Sequence, residues 1–68
     1  MNKRRFEAMM DRKIDDFVVL FNLSRDNIEK QSTNRQALDF IHNCCTTYGY
    51  EKREQEYKGR YLGEIKGE

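Results

Sequence analysis

The sequence contains no proline and no tryptophan, and only two cysteines, four glycines and one histidine among its 68 residues. Without proline, no segment is barred from a helix by ring sterics or by a missing N–H donor. The longest uninterrupted apolar run is Phe17–Phe21, far short of the roughly 20 residues that span a bilayer. These absences favour an all-helical chain with no membrane segment.

The cysteines are few and adjacent, at Cys44 and Cys45. A disulfide between neighbours is strained and closes no useful loop. With no disulfide framework and no signal peptide, the sequence predicts a reducing, cytoplasmic location. Charged residues make up 37% of the chain, yet the net charge is only +1. This balance disfavours a general nucleic-acid binder, which usually carries a clear basic excess.

A chain of this length predicts one domain with a thin core. Such a domain buries only about 60% of the surface that its unfolded chain exposes. Small domains therefore depend on disulfides, metals, oligomerisation or very regular helix packing. We predict a single helical domain over residues 1–62 and a flexible tail over residues 63–68.

Helical periodicity is strongest near the N-terminus, where we predict a long amphipathic helix from Lys3 to Asn22. At about 100° per residue, Val19 falls nearly opposite the main apolar stripe, and Leu23 lies about 40° from Val19. A helix buried on one side only has no use for this valine, so we expect a second contact surface there. The residues of the main stripe are Phe6, Met9, Met10, Ile14, Phe17, Leu20 and Phe21.

The middle of the sequence predicts two helices. Ser24 can accept a free backbone N–H as the N-cap of a short second helix, Arg25–Gln31. Ser32 then begins a polar break, after which Thr33 and Gln36 have the spacing of a capping box. A third helix over residues 34–48 follows, with one apolar face.

Gly49 predicts the end of that third helix, because glycine adopts the left-handed conformation without steric cost. A fourth helix is predicted over Glu51–Arg60, fraying beyond. Glycines at 59 and 63 lie on the face opposite its apolar stripe and weaken a helix there. The fold class is therefore all-α, a small domain of three to four helices. The apolar stripe of the last helix is Tyr50, Tyr57, Tyr61 and Ile65.

Two groups of residues are candidates for contact with another protein. Asp15 and Asp16 form an acidic patch beside the apolar pair Val19 and Leu23, and charge complementarity orients many interfaces. Tyrosine is enriched at interfaces, although the same side chains can equally cover a thin core. The tyrosines predicted to contact a partner are Tyr50, Tyr57 and Tyr61.

Nucleic-acid binding is an alternative. A helix-turn-helix would place its turn at residues 32–34 and use the third helix for recognition. Asp39 would sit among the base-reading residues and repel phosphate, which weakens this interpretation. The residues that would contact nucleic acid are Lys3, Arg4, Arg5, Arg35, Gln36 and Asn43.

Metal binding and catalysis lack their usual residues. His42, Cys44 and Cys45 have zinc-compatible side chains, but no second pair of ligands accompanies them. A phosphate loop and a nucleophile elbow are also missing from the sequence. We therefore expect no catalytic residues, no metal and no cofactor.

The function predicted from the sequence is a non-catalytic interaction protein, an inhibitor or adaptor that occludes a surface of a larger protein. Viruses and mobile elements often encode chains of this type. The alternatives are a small helix-turn-helix DNA-binding regulator and a structural homodimer that buries Val19.

Overall fold

The computed structural model describes residues 2–65, which form three α-helices and no strand. They are α1 (Lys3–Leu23), α2 (Asn27–Thr47) and α3 (Glu54–Ile65), with one turn of 3₁₀ helix at Glu51–Arg53 ahead of α3. In this part of the chain, no helix has both the length and the apolarity needed to cross a membrane. The predicted all-α fold is confirmed, and α1 ends one residue later than predicted.

A short turn joins α1 to α2, and its polar residues have different roles from those predicted. Ser24 is the C-cap of α1, where its backbone N–H and its hydroxyl both donate to the carbonyl of Leu20. Asp26 is the N-cap of α2, and its Oδ1 accepts the backbone N–H of Glu29 at 2.8 Å. Glu29 in turn accepts the N–H of Arg25 at 3.1 Å, one residue before the N-cap, an arrangement close to that of a capping box.

The predicted break at residues 31–34 is wrong, because this stretch lies inside the continuous helix α2. Ser and Thr cost only a few tenths of a kcal/mol in a helix interior, and the cap at Asp26 gives the helix an earlier start. Within α2, Gln36 donates to the Ser32 hydroxyl at 3.2 Å. Asn34 is held by a tertiary contact, because its Oδ1 accepts the Tyr61 hydroxyl at 2.7 Å.

Gly49 ends α2 as predicted, with a positive φ of 80°. The N–H of Gly49 donates to Thr46 and the N–H of Tyr50 donates to Cys45, the two hydrogen bonds of a Schellman motif. This motif turns the chain back so that the Tyr50 ring stacks on Phe6, with centroids 4.3 Å apart. The turn therefore fixes where α3 begins.

The last helix continues five residues beyond the predicted end at Arg60, to Ile65. Arg60 donates to Glu64 at 2.9 Å one turn later, and Ile65 packs against the core. These contacts offset the cost of Gly63 inside the helix. Residues 66–68 of the predicted tail lie outside the described residues, so its flexibility stays a prediction.

The three helices form a bundle with one core. α2 runs antiparallel to α1. α3 reverses direction again and lies beside α1, parallel to it, because Arg53 contacts Glu7 and Arg60 contacts Asp11. Buried residues on α1 end at Ile14, and those on α2 begin at Ala37. The buried core residues are Phe6, Met10, Ile14, Ala37, Ile41, Cys45, Tyr57 and Tyr61.

Candidate protein-contact surface

The side of α1 that faces away from α3 carries three large apolar side chains in contact with solvent. Val19 is 56% exposed, Leu20 is 51% exposed and Leu23 is 71% exposed. Toward the start of the helix, a shallow groove on the same side runs from Ala8 to Asp16. We call this surface the outer face of α1, and its residues are Arg5, Ala8, Met9, Arg12, Asp16, Val19, Leu20 and Leu23.

The other sides of α1 are occupied by the neighbouring helices. Toward α2, the rings of Phe17 and Phe40 lie 5.9 Å apart. Toward α3, Arg53 donates to the carboxylate of Glu7 at 2.6 Å. Because α3 and α2 cover two sides of the cylinder, the third side of α1 is left to solvent.

Two opposite charges lie in the middle of the outer face. Arg12 and Asp16 are both exposed and are one helical turn apart. Neither takes part in an ion pair among residues 2–65. Both charges are therefore available to a partner. Lys13 beside them is oriented toward α2, with its Nζ 5.8 Å from the centroid of the Phe40 ring.

The predicted acidic patch is divided by the structure. Asp15 is exposed but accepts from Arg60 at 3.3 Å, and Asp11 pairs with the same guanidinium. These contacts fasten α3 to α1. Asp16 lies on the outer face beside Val19 and Leu23, as the sequence pattern predicted, whereas Asp15 serves the seam between helices.

Two of the tyrosines predicted to contact a partner belong instead to the core. Tyr57 is 3% exposed and Tyr61 is 0% exposed, so neither is accessible to a partner in this fold. Tyr61 is fixed by its hydrogen bond to Asn34, and Tyr57 packs edge-on against Phe6 with centroids 6.0 Å apart. Tyr50 is half-buried and stacks on the same ring. Burial therefore removes Tyr57 and Tyr61 from the predicted surface.

The residues proposed for nucleic-acid contact are exposed but divided between two helices. Lys3, Arg4 and Arg5 occupy the first turn of α1, whereas the other candidates, Arg35, Gln36 and Asn43, lie on α2. The turn of a helix-turn-helix would fall within α2, so the predicted motif is not formed. The two helices of the predicted motif are one continuous helix, α2, so no separate recognition helix exists.

His42 and the two cysteines do not converge on one site. The His42 Nδ1 lies 2.9 Å from Glu54 Oε2, across the seam between α2 and α3. Cys45 is fully buried and Cys44 is half-buried, and burial raises the pKa of both thiols. Within the described part of the chain, no cluster of three or more His, Cys, Asp or Glu side chains has the geometry to hold a metal. Because their pKa values are raised, both thiols stay protonated near neutral pH.

The perturbed carboxylates lie along the seams of α3. Glu54 binds the Lys58 ammonium at 2.7 Å, and this contact, together with the His42 ring, lowers the pKa of Glu54. A hydrogen bond from Arg53 likewise lowers the pKa of Glu7. An ion pair within α3 and the contact with His42 explain the shift of Glu54, and the pair with Arg53 explains that of Glu7, so these groups have a structural role in the bundle.

Leu20 was missed as an exposed residue because periodicity assigns it to the buried stripe of α1. Helical spacing gives the side of the helix but not the distance to which a neighbour extends along it. Arg12 was also missed as a protein-contact residue, because its place on this face is recognised only together with the opposite charge of Asp16 one turn away. Arg12 and Asp16 belong to one stripe, in which positions 5, 9, 12, 16, 19 and 23 recur at alternating steps of four and three residues.

The chain matches no protein-family model, no curated protein and no solved structure. Its function therefore has to be inferred from the outer face of α1 and from the chemistry of its own residues.

Proposed function

We propose that the protein is a non-catalytic protein-binding module, which uses the outer face of α1 to occupy a surface on another protein. One observation carries this proposal: Val19, Leu20 and Leu23 are each at least half exposed and follow one another along one side of a single helix. An inhibitor or adaptor that works by steric occlusion needs such a face and no catalytic group.

The exposed apolar side chains supply the affinity in this proposal. Full burial of a valine or leucine side chain is favourable by about 1.5 to 3 kcal/mol, so covering the solvent-exposed part of each contributes about 1 kcal/mol or more. Residues at spacings of three and four along a helix are the usual anchors when a helix lies in an apolar groove. Arg12 and Asp16 would set the orientation, because charges at the edge of an interface fix its register.

The cell compartment is part of the same proposal. Both cysteines are free thiols, which fits a reducing compartment such as the cytoplasm.

Affinity capture tests the proposal with a matched control. The test variant is the double substitution Val19→Asp and Leu23→Asp, which puts two charges on the outer face. The control is Ile28→Asp on α2, where Ile28 is 80% exposed. Ile28 lies about 120° around α2 from Phe40, the residue that faces α1.

We expect wild type and the Ile28→Asp variant to retain the same protein from a lysate of the source organism, and the double variant to lose it. Nuclease treatment should leave the captured protein in place. Equal capture by all three proteins, or capture that disappears with nuclease, would contradict the proposal.

A further inference from the structure

We infer that the outer face of α1 binds a second copy of this chain, with the two α1 helices packed antiparallel about a twofold axis. The axis passes midway between Arg12 and Asp16, at the level of Ile14. This inference rests on the proposed function, because it takes the same face and names its partner. The spacing, the charges and the exposed side chains of that face support it.

The spacing is that of a seam between two helices. Apolar and charged residues of the outer face recur at alternating steps of four and three, an average period of 3.5 residues. This is the heptad spacing of coiled-coil a and d positions, which keeps one line of side chains facing a neighbouring helix. The six positions of the seam are Arg5, Met9, Arg12, Asp16, Val19 and Leu23.

The charges of the seam are self-complementary only in the antiparallel orientation. A twofold interface brings the same patch of both copies together, so each residue must suit its counterpart across the axis. With the axis midway between them, Arg12 faces the partner's Asp16, and the partner's Arg12 faces Asp16. A parallel pair in register would instead oppose like charges at both positions, which is unfavourable.

The same register pairs the ends of the seam favourably. Met9, which is half-buried against the core, faces the partner's Val19. Arg5 lies opposite the partner's Leu23, where the aliphatic part of the arginine can cover the leucine while its guanidinium stays in water. Every large apolar residue of the seam therefore meets another side chain that covers it.

The size of the seam predicts a weak, concentration-dependent dimer. α1 has 21 residues and is therefore about 31 Å long. One helix face of this length lies at the small end of specific interfaces, which bury roughly 800 Å² on each partner. We expect a dissociation constant in the micromolar range. A larger protein that binds the same face would have to compete with self-association.

Charge reversal gives a test that requires no unknown partner. Arg12→Asp and Asp16→Arg each place like charges opposite one another at both symmetric pairs of the seam. Both residues are exposed, so the fold should persist, which circular dichroism can verify. Each variant alone should dissociate about 30-fold more readily than wild type at low salt, since two contacts change from attractive to repulsive.

A mixture of the two single variants provides the decisive test. In an equimolar mixture of the two single variants, both facing pairs of positions 12 and 16 are again oppositely charged, so heterodimers should form with wild-type affinity. The double variant Arg12→Asp with Asp16→Arg should also recover it. Sedimentation equilibrium over a dilution series at low salt measures all five samples.

A wild-type chain that stays monomeric at millimolar concentration would overturn the inference, as would a dimer that the single reversals do not weaken. A mixture that fails to restore association would also overturn it. Failure of this inference can be told apart from failure of the proposed function. If the chain is monomeric but its capture of another protein is lost with Val19→Asp and Leu23→Asp, it still binds a partner through this face.

Discussion

The two ends of the bundle differ in how they are stabilised. We call residues 2–18 and 34–65 the base, where α3 packs against α1 and α2, and residues 19–33 the tip, where the α1–α2 hairpin stands without a third helix. Among residues 2–65, every buried residue lies in the base, and none lies between residues 19 and 33. The tip relies on local contacts, such as the cap at Asp26 and the Lys30 ammonium 4.6 Å from the Phe21 ring centroid.

The difference follows from helix length. α3 has 12 residues and spans about 18 Å, whereas α1 and α2 have 21 residues each and span about 31 Å. A third helix of this length covers little more than half of the hairpin. The chain thus concentrates its few buried side chains in the base and leaves apolar residues of the tip, such as Leu23, free to contact a partner.

Two isoleucines on α2 give the largest expected contrast between base and tip. Ile41 is fully buried in the base, and Ile28 is 80% exposed in the tip. Ile41→Ala should lower the free energy of unfolding by about 2 to 5 kcal/mol, because it leaves a cavity in the core. Ile28→Ala should change it by less than about 0.5 kcal/mol.

Urea unfolding followed by circular dichroism at 222 nm measures both variants against wild type, in dilute solution so that association does not contribute. Similar losses for the two substitutions would show that the tip shares the stability of the base, and would remove the distinction.

The base was easier to predict than the tip. Regular spacing of Phe6, Met10 and Ile14 identifies α1 and its buried side, because burial against a core imposes the helical period directly. The same helical period identifies the side of α3 that carries Tyr57 and Tyr61. It did not decide whether they are core or surface, since periodicity gives a direction and the position of the neighbouring helix gives the burial.

Errors in the middle of the chain have a different cause. Ser32 and Thr33 prefer caps and turns when only local contacts count. In the fold, the helix starts earlier, at the Asp26 cap, and Asn34 accepts the Tyr61 hydroxyl, a contact between residues far apart in the sequence. At the candidate surface, Val19 and Leu23 could be located by their angle from the apolar stripe, whereas the pairing of Asp15 with Arg60 required the packed bundle.

Two tyrosines within the base should differ by an intermediate amount of unfolding free energy when each is replaced by phenylalanine. Tyr61 donates its hydroxyl to Asn34, so Tyr61→Phe should cost about 1 kcal/mol of unfolding free energy. The Tyr57 hydroxyl is buried and has no hydrogen-bond partner among residues 2–65. Tyr57→Phe should therefore be neutral or stabilising.

Thermal or urea unfolding of the two phenylalanine variants gives the measurement. A large loss for Tyr57→Phe together with no loss for Tyr61→Phe would show that polar contacts do not anchor α3 as described.

Low pH should destabilise the end of the bundle that we call the base, because it protonates the carboxylates in the ion pairs of α3. The pKa of Glu54 in the folded protein lies below its ordinary value of 4.5, because Lys58 and His42 bind the carboxylate, and Arg53 lowers the pKa of Glu7 in the same way. The unfolded chain therefore takes up more protons between the folded pKa and 4.5. Stability is fully present above that window and falls as the pH drops through it.

Urea midpoints between pH 3 and pH 7 measure this decline. Glu54→Gln should flatten it, whereas Glu51→Gln should not, because none of the ion pairs described for residues 2–65 includes Glu51. If the two substitutions had equal effects, the loss of stability at low pH would not come from the ion pairs of α3.

The outer face of α1 lies outside the folded core, and the unfolding free energy of the Val19→Asp variant in dilute solution is the measurement that tests this claim. Val19 is more than half exposed, so we predict a change within about 1 kcal/mol, from the altered helix propensity and a charge near the end of α1. A loss of about 3 kcal/mol or more, the size expected for a charge forced into a core, would contradict the claim.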